Sequence, residues 1–217
     1  MPIFRTINKD ILFVHIPKAG GTSVEKFFHA NQFAVLFIDH AGTKNQYMNS
    51  LNNLTKCSPQ HMHGDLLKSY FDLSKFSSIF MMVRHPLDRI VSEYNYRMKI
   101  AKVEKKKSVE INTWINETIQ AYSSDSYIHD NHLRPQWHFL LDNCKIFKLE
   151  DSMNSKWVES VEKYCNIKFS IREVKVFFSS GLPTRDIGSK LSRATSDLIY
   201  KFYEKDFEVF KYQKSLT

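Results

Sequence analysis

Apolar and polar positions along the chain follow two alternating patterns. Short apolar runs typical of buried strands occupy residues 11–16, 33–38, 79–83 and 144–149. Apolar residues at three- and four-residue spacing predict helices over residues 22–30, 46–54, 87–101, 111–121, 152–164 and 190–203. Strands that alternate with helices favour an α/β fold with a central parallel sheet flanked by helices. Residues 102–108 and 179–189 are expected to form exposed loops.

Length and composition favour one globular domain over residues 1–217. Of the 217 residues 42% are hydrophobic, so the chain can bury a core without disulfides. Its three cysteines, Cys57, Cys144 and Cys165, are widely spaced and typical of free thiols in a reducing compartment. No apolar run reaches the ~18–20 residues of a membrane span. We therefore expect a cytoplasmic protein without a membrane span.

The charge balance indicates anionic partners. Lysine and arginine total 31 against 23 acidic residues, which gives a formal net charge of +8. A nucleotide, an acidic glycan or a nucleic acid would each suit this charge. The densest basic run, residues 99–107, contains no aromatic residue. We therefore expect a solvated helix end or loop there and no nucleic acid partner.

The most informative segment spans residues 10–28, where the apolar run stops at Pro17. The residues that follow, which we call the glycine loop, are Lys18, Ala19, Gly20, Gly21, Thr22 and Ser23. Glycines let the backbone approach a ligand closely, and the N–H groups and dipole of a helix start attract an anion. The lysine precedes the glycines, whereas a Walker A motif has it directly before the hydroxyl residue. The alternative is an ordinary strand–turn–helix connection.

A second segment has a similar layout. The predicted strand ends at Val83, Arg84 follows it, and Pro86 suits the first turn of a helix. Arg84 offers a planar guanidinium suited to a phosphate, and Ser92 offers a hydroxyl two turns along. Ligands of parallel sheets bind beyond the carboxyl ends of the strands, where both segments fall. The alternative is an Arg84 paired with a nearby carboxylate, beside an exposed Ser92.

Together the two segments resemble the nucleotide site of sulfotransferases that use 3′-phosphoadenosine 5′-phosphosulfate (PAPS). The sequence HIPKAGGTS is similar to their 5′-phosphosulfate loop, and Arg84 with Ser92 is similar to their 3′-phosphate site. The likeness extends to the carbohydrate (family 2) branch, which includes heparan sulfate 2-O- and chondroitin or dermatan enzymes. It is carried by CSPQHMHGDL at 57–66, HLRPQ at 132–136, KLED at 148–151 and the C-terminal segment 191–212. Leu133 departs from that branch, which has tryptophan there in HWRPQ.

The resemblance implies a fold and a set of binding residues. The fold is the P-loop NTPase-like sulfotransferase fold, and the donor leaves as 3′-phosphoadenosine 5′-phosphate (PAP). The residues expected to bind PAPS are Lys18, Ala19, Gly20, Gly21, Thr22, Ser23, Arg84, Ser92, Arg185 and Lys190. Arg134 and Gln136 either hold the acceptor or belong to a structural turn at Pro135.

Transfer to a hydroxyl also needs charge neutralisation and a base. Lys18 is suited to neutralise the leaving oxygen, and histidine is the side chain tuned to accept a proton near pH 7. His61 and His63 would face one side of an extended segment. We assign His61 as the general base and His63 as a second base or an acceptor-orienting group. The alternatives are a surface loop rich in polar residues and a metal site of Cys57, His61 and His63, which lacks a fourth ligand at recognisable spacing.

The sequence therefore predicts a PAPS-dependent sulfotransferase that acts on a hydroxyl, and we favour a saccharide acceptor and no metal. A P-loop-like small-molecule kinase is the first rival, but the Walker lysine and a clear magnesium-binding aspartate after a strand are missing. A non-catalytic nucleotide- or glycan-binding protein is the second rival. The presence of both His61 and Lys18 speaks against it. The acceptor and the oligomeric state are left open.

Overall fold

The computed structural model describes residues 1–39, 55–175 and 190–214. The predicted helix over 46–54 and the predicted loop over 179–189 lie outside the described residues. The chain divides into two compact units, residues 1–83 with 138–177 and residues 84–137 with 178–217. We describe each unit by itself, and the single domain over residues 1–217 stays a prediction.

The first unit contains a five-stranded mixed sheet. The strands are β1 (Ile3–Arg5), β2 (Asp10–Val14), β3 (Ala34–Leu36), β4 (Ser78–Val83) and β5 (Lys145–Lys148), in the order β3-β1-β2-β4-β5. Strands β2, β4 and β5 are parallel, which confirms the predicted parallel centre, whereas β1 is antiparallel to both β2 and β3. All four predicted strands are confirmed. The apolar pattern missed β1 because only two of its three residues, Ile3 and Phe4, are apolar.

Helices flank this sheet and build most of the second unit. The described helices are α1 (Gly21–Ala30), α2 (Gly64–Tyr70), α3 (Pro86–Val103), α4 (Ile111–Tyr122), α5 (Ile128–Asn131), α6 (Ser155–Cys165), α7 (Arg193–Phe202) and α8 (Glu204–Val209). Short 3₁₀ turns cover Pro59–His61, Leu73–Lys75, Gln136–Phe139 and Leu149–Asp151. The five predicted helices that lie in the described ranges are confirmed, whereas α2, α5 and α8 were not predicted. Residues 102–108 are exposed as expected, although α3 continues into their first two positions.

Each unit has its own core. In the first unit, Phe4 stacks on Phe28 with ring centroids 3.9 Å apart, and Phe13 lies 5.0 Å from Phe80. All four rings are fully buried and join the sheet to α1. In the second unit, the core comes from one face each of α3, α4, α7 and α8, and it includes Ile90, Val91, Ile115, Ile199, Tyr203 and Phe207. The two strand ends that carry the candidate site are thus fixed by packed cores.

Candidate active site

The glycine loop joins the end of β2 to the start of α1 in the first unit. Gly20 precedes the helix with a φ of +88°, and Lys18 also has a positive φ, of 67°. No side chain caps the first turn of α1, and that turn contains no acidic residue. The first N–H groups of a helix have no hydrogen-bond acceptor within that helix. The first turn of α1 can therefore bind an anion. The loop therefore has the backbone geometry that the sequence predicted.

Both glycines are required by their surroundings. A Cβ added to Gly20 would lie 3.0 Å from Cδ1 of Leu149, on a backbone conformation that side chains disfavour. A Cβ added to Gly21 would lie only 2.1 Å from Nε2 of His15. The ring of His15 therefore packs directly against the start of α1.

His15 belongs to a buried cluster that the sequence did not predict. Its Nδ1 lies 2.6 Å from Oε1 of Glu25, and its ring meets that of His61 edge to face at 5.2 Å. Burial raises the pKa of the Glu25 carboxyl, but the charges of His15 and His61 outweigh it and hold that pKa below its usual value. The ring of His15 thus contacts both the start of α1 and the ring of His61.

His61 and His63 occupy different local structures. His61 ends the 3₁₀ turn Pro59–His61, and its Nδ1 lies 3.1 Å from Oγ of Ser58. His63 precedes α2 in an extended conformation, and its ring lies 6.5 Å from that of Phe139. Met62 and His63 are extended as expected, whereas His61 itself belongs to the turn, and the expectation that both rings face one side stays a prediction. Both side chains are buried, with 7% and 6% exposure, and their catalytic roles stay predictions.

The ligand set of the metal alternative does not come together. Within the described parts of the chain, the side-chain ligand atoms of Cys57, His61 and His63 do not form a group within 4.8 Å of one another. His61 instead contacts Oγ of Ser58 and the ring of His15. The first unit thus brings together the glycine loop and His61.

The predicted 3′-phosphate residues lie in the second unit. Arg84 is half-buried, and its backbone is fixed by Gln136, whose side chain accepts from the Arg84 N–H at 2.9 Å and donates to its carbonyl at 2.7 Å. Pro86 occupies the first turn of α3, as predicted. Ser92 lies further along that helix with 5% exposure, so the alternative of an exposed serine is wrong.

The segment HLRPQ at 132–136 is fastened to α3 and α8. Arg89, 1% exposed on α3, donates to the carbonyls of His132 and Arg134 at 2.9 and 2.8 Å. Asp206 of α8 accepts from the N–H groups of Gln136 and Trp137, both at 2.9 Å. The sequence suggested neither contact, because they join residues far apart in the chain.

The side chains of Arg134 and Gln136 both bind other parts of the protein. Arg134 donates to Oδ1 of Asn131 and to Oγ of Ser126, and Gln136 bonds the backbone of Arg84. These contacts support the structural alternative for both residues, while acceptor binding by them stays a prediction. Lys190 precedes α7 with an exposed side chain, and Arg185 lies outside the described residues.

Comparison with known proteins assigns the family. A family model described as the sulfotransferase family matches residues 2–213, nearly the whole chain. The chain therefore belongs to the sulfotransferase family. No curated protein and no solved structure matches it. In the ranges that the structure describes, no helix is long and apolar enough to cross a membrane.

Proposed function

We propose that this sulfotransferase uses PAPS as its donor and a hydroxyl of a saccharide as its acceptor. One observation carries the proposal. The glycine loop leads into α1 through a left-handed Gly20, with an uncapped first turn free of acidic residues. This geometry suits the doubly anionic phosphosulfate end of the donor. PAPS, when bound, supplies an activated sulfuryl group whose leaving group is PAP.

The residues of the chain divide the binding of the donor between its two anionic ends. The glycine loop would hold the 5′-phosphosulfate through backbone N–H groups and the ammonium of Lys18. Arg84 and Ser92 would hold the 3′-phosphate, and the fixed backbone of Arg84 preorganises its guanidinium. Arg185 and Lys190 are proposed as further cations for that phosphate.

His61 is the proposed general base. It would accept the proton of the acceptor hydroxyl at Nε2, in the tautomer whose Nδ1–H donates to Oγ of Ser58. Lys18 would neutralise the negative charge that develops on the bridging oxygen. His63 is proposed to orient the acceptor.

The test is a transfer assay with ³⁵S-labelled PAPS and desulfated heparin, chondroitin and dermatan as acceptors. Labelled glycan is expected with the natural chain.

Lys18→Ala should lower kcat more than donor affinity, because its charge matters most in the transition state. His61→Asn should lower kcat ~10²–10⁴-fold and leave PAP affinity unchanged. The control is Lys163→Ala, which removes an exposed lysine of α6. Absence of labelled glycan and of PAP formation would contradict the proposed donor and acceptor.

A further inference from the structure

A strained turn, formed by residues 129–131 within the short element α5, precedes the segment HLRPQ in the second unit. His129, Asp130 and Asn131 all have left-handed backbone conformations, with φ of 56°, 59° and 67°. Such conformations are disfavoured for residues with a side chain, somewhat less for aspartate and asparagine, so three in succession persist only where their surroundings enforce them. Strain of this kind is concentrated at functional sites. The next residue in the chain is His132.

Buried polar groups enforce this turn. Asn131 is fully buried and accepts from Nε of Arg134. Arg97 donates to the carbonyl of His129, whose ring stacks on Trp114 with planes 8° apart. Arg89 also donates to the carbonyl of His132. These hydrogen bonds fix the backbone conformation on both sides of His132.

The side chain of His132 is held by a carboxylate on α3. Its Nδ1 lies 2.7 Å from Oε2 of Glu93, and the other oxygen of Glu93 accepts from Nε of Arg97. Glu93 is 1% exposed, whereas the side chain of His132 is 11% exposed. A carboxylate paired with arginine is an acceptor only, so Nδ1 of His132 carries a proton, and in the neutral ring Nε2 is the nitrogen that can accept a hydrogen bond. Tyr96 stacks on the same ring at 6.2 Å.

We propose that His132 binds the acceptor in the sulfuryl transfer described above, with its Nε2 accepting a hydrogen bond from a hydroxyl of the saccharide. Glu93 is the positioning residue that fixes the tautomer and the ring. This inference rests on the proposed function and extends it to HLRPQ. In that segment Arg134 and Gln136 bind other parts of the protein, and His132 is the side chain whose ring is oriented by a buried carboxylate.

The test separates the contact with Glu93 from the contact with the acceptor. In His132→Asn the side-chain N–H can replace the Nδ1–H bond to Glu93, but no atom replaces Nε2. With ³⁵S-labelled PAPS and desulfated chondroitin or heparin oligosaccharides, this variant should lower kcat/KM for the oligosaccharide about 10- to 100-fold. Thermal unfolding and calorimetric PAP affinity should stay near those of the natural chain.

Glu93→Gln tests the positioning role. It should lower kcat/KM for the oligosaccharide about 5- to 20-fold while PAP affinity is kept, since the tautomer is no longer fixed. In ¹⁵N spectra of the histidine rings, His132 should be the Nδ1–H tautomer in the natural chain and a mixture in this variant. The matched control is Glu162→Gln, which alters another carboxylate with 4% exposure, bonded to Arg172, in the first unit. It should leave both the tautomer and the oligosaccharide KM unchanged.

The outcomes distinguish the two proposals. If the natural chain transfers label and His132→Asn keeps its kcat/KM, the inference about His132 is overturned and the proposed function stands. A loss of PAP affinity equal to the loss of kcat/KM would assign His132 a purely structural role and overturn the inference as well. If the natural chain transfers no label to any glycan, the proposed function fails and this inference fails with it.

Discussion

Gly21 lies where no larger residue fits, because the ring of His15 occupies the space of a Cβ. Gly21→Ala should lower the free energy of unfolding by about 1–3 kcal/mol through overpacking, and it should weaken PAP binding by displacing the glycine loop. Urea unfolding and calorimetry measure the two effects. The double variant with His15→Ala should recover part of the lost stability, since the clash is removed. If the two stability losses simply add, the clash is not with His15.

His129 is expected to make stability depend on pH. Burial, with the nearby charge of Arg97, lowers the pKa of His129 to about 4. In the unfolded chain a histidine binds its proton near pH ~6.5. The unfolded state therefore binds more protons between these values, so the free energy of unfolding should be highest above pH ~6.5 and fall towards pH 4.

A variant tests this pH dependence. His129→Asn tolerates the left-handed backbone and cannot titrate, so the stability difference between pH 7 and pH 5 should shrink. Urea unfolding at the two pH values measures it, with His29→Asn, a change of an exposed histidine at the end of α1, as the control. An undiminished difference in His129→Asn would show that other groups cause the acid sensitivity.

At the scale of elements, helix α3 organises the second unit through Arg89. Its buried guanidinium donates to carbonyls of HLRPQ and lies 5.1 Å from the centroid of the Tyr203 ring. Arg89→Met should lower the free energy of unfolding by about 3–5 kcal/mol, because buried carbonyls lose their donor and Asp206 loses a nearby positive charge. The control Arg5→Met breaks an exposed pair with Asp10 and should lower the free energy of unfolding far less. If urea unfolding shows the same loss in the free energy of unfolding for both variants, the central role of Arg89 is contradicted.

The elements also show how far periodicity reaches. It predicted the ends of β2, β4, α1 and α4 to within one or two residues, since each has a continuous apolar run or a clear buried face. It missed β1, whose three residues become a strand only because β2 and β3 pair with them. Short elements depend on their neighbours more than on their own sequence.

At the scale of the whole molecule, none of the three cysteines forms a disulfide, as the sequence predicted. Burial raises the pKa of the Cys144 thiol to about 12 and that of the Cys165 thiol to about 11, and Cys57 is buried. Since the thiolate is the reactive form, a disulfide reagent at pH 8 should modify the native chain far more slowly than the urea-unfolded chain. The absorbance of the chromophore that the reagent releases, followed over time, measures the rate of thiol modification. Rapid modification of the buried Cys57 and Cys165 in the native state would contradict the described burial.

The sequence by itself determined the family resemblance, the α/β order of elements and the glycine loop. These depend on local signals: an apolar strand, two glycines and a helix start within about twenty residues. Tertiary structure alone decided which histidines have acidic partners. His15 is ten residues from Glu25, and His132 is 39 residues from Glu93, distances over which spacing carries no information. The physical reason is that packing of each core, rather than local preference, brings these carboxylates to the rings.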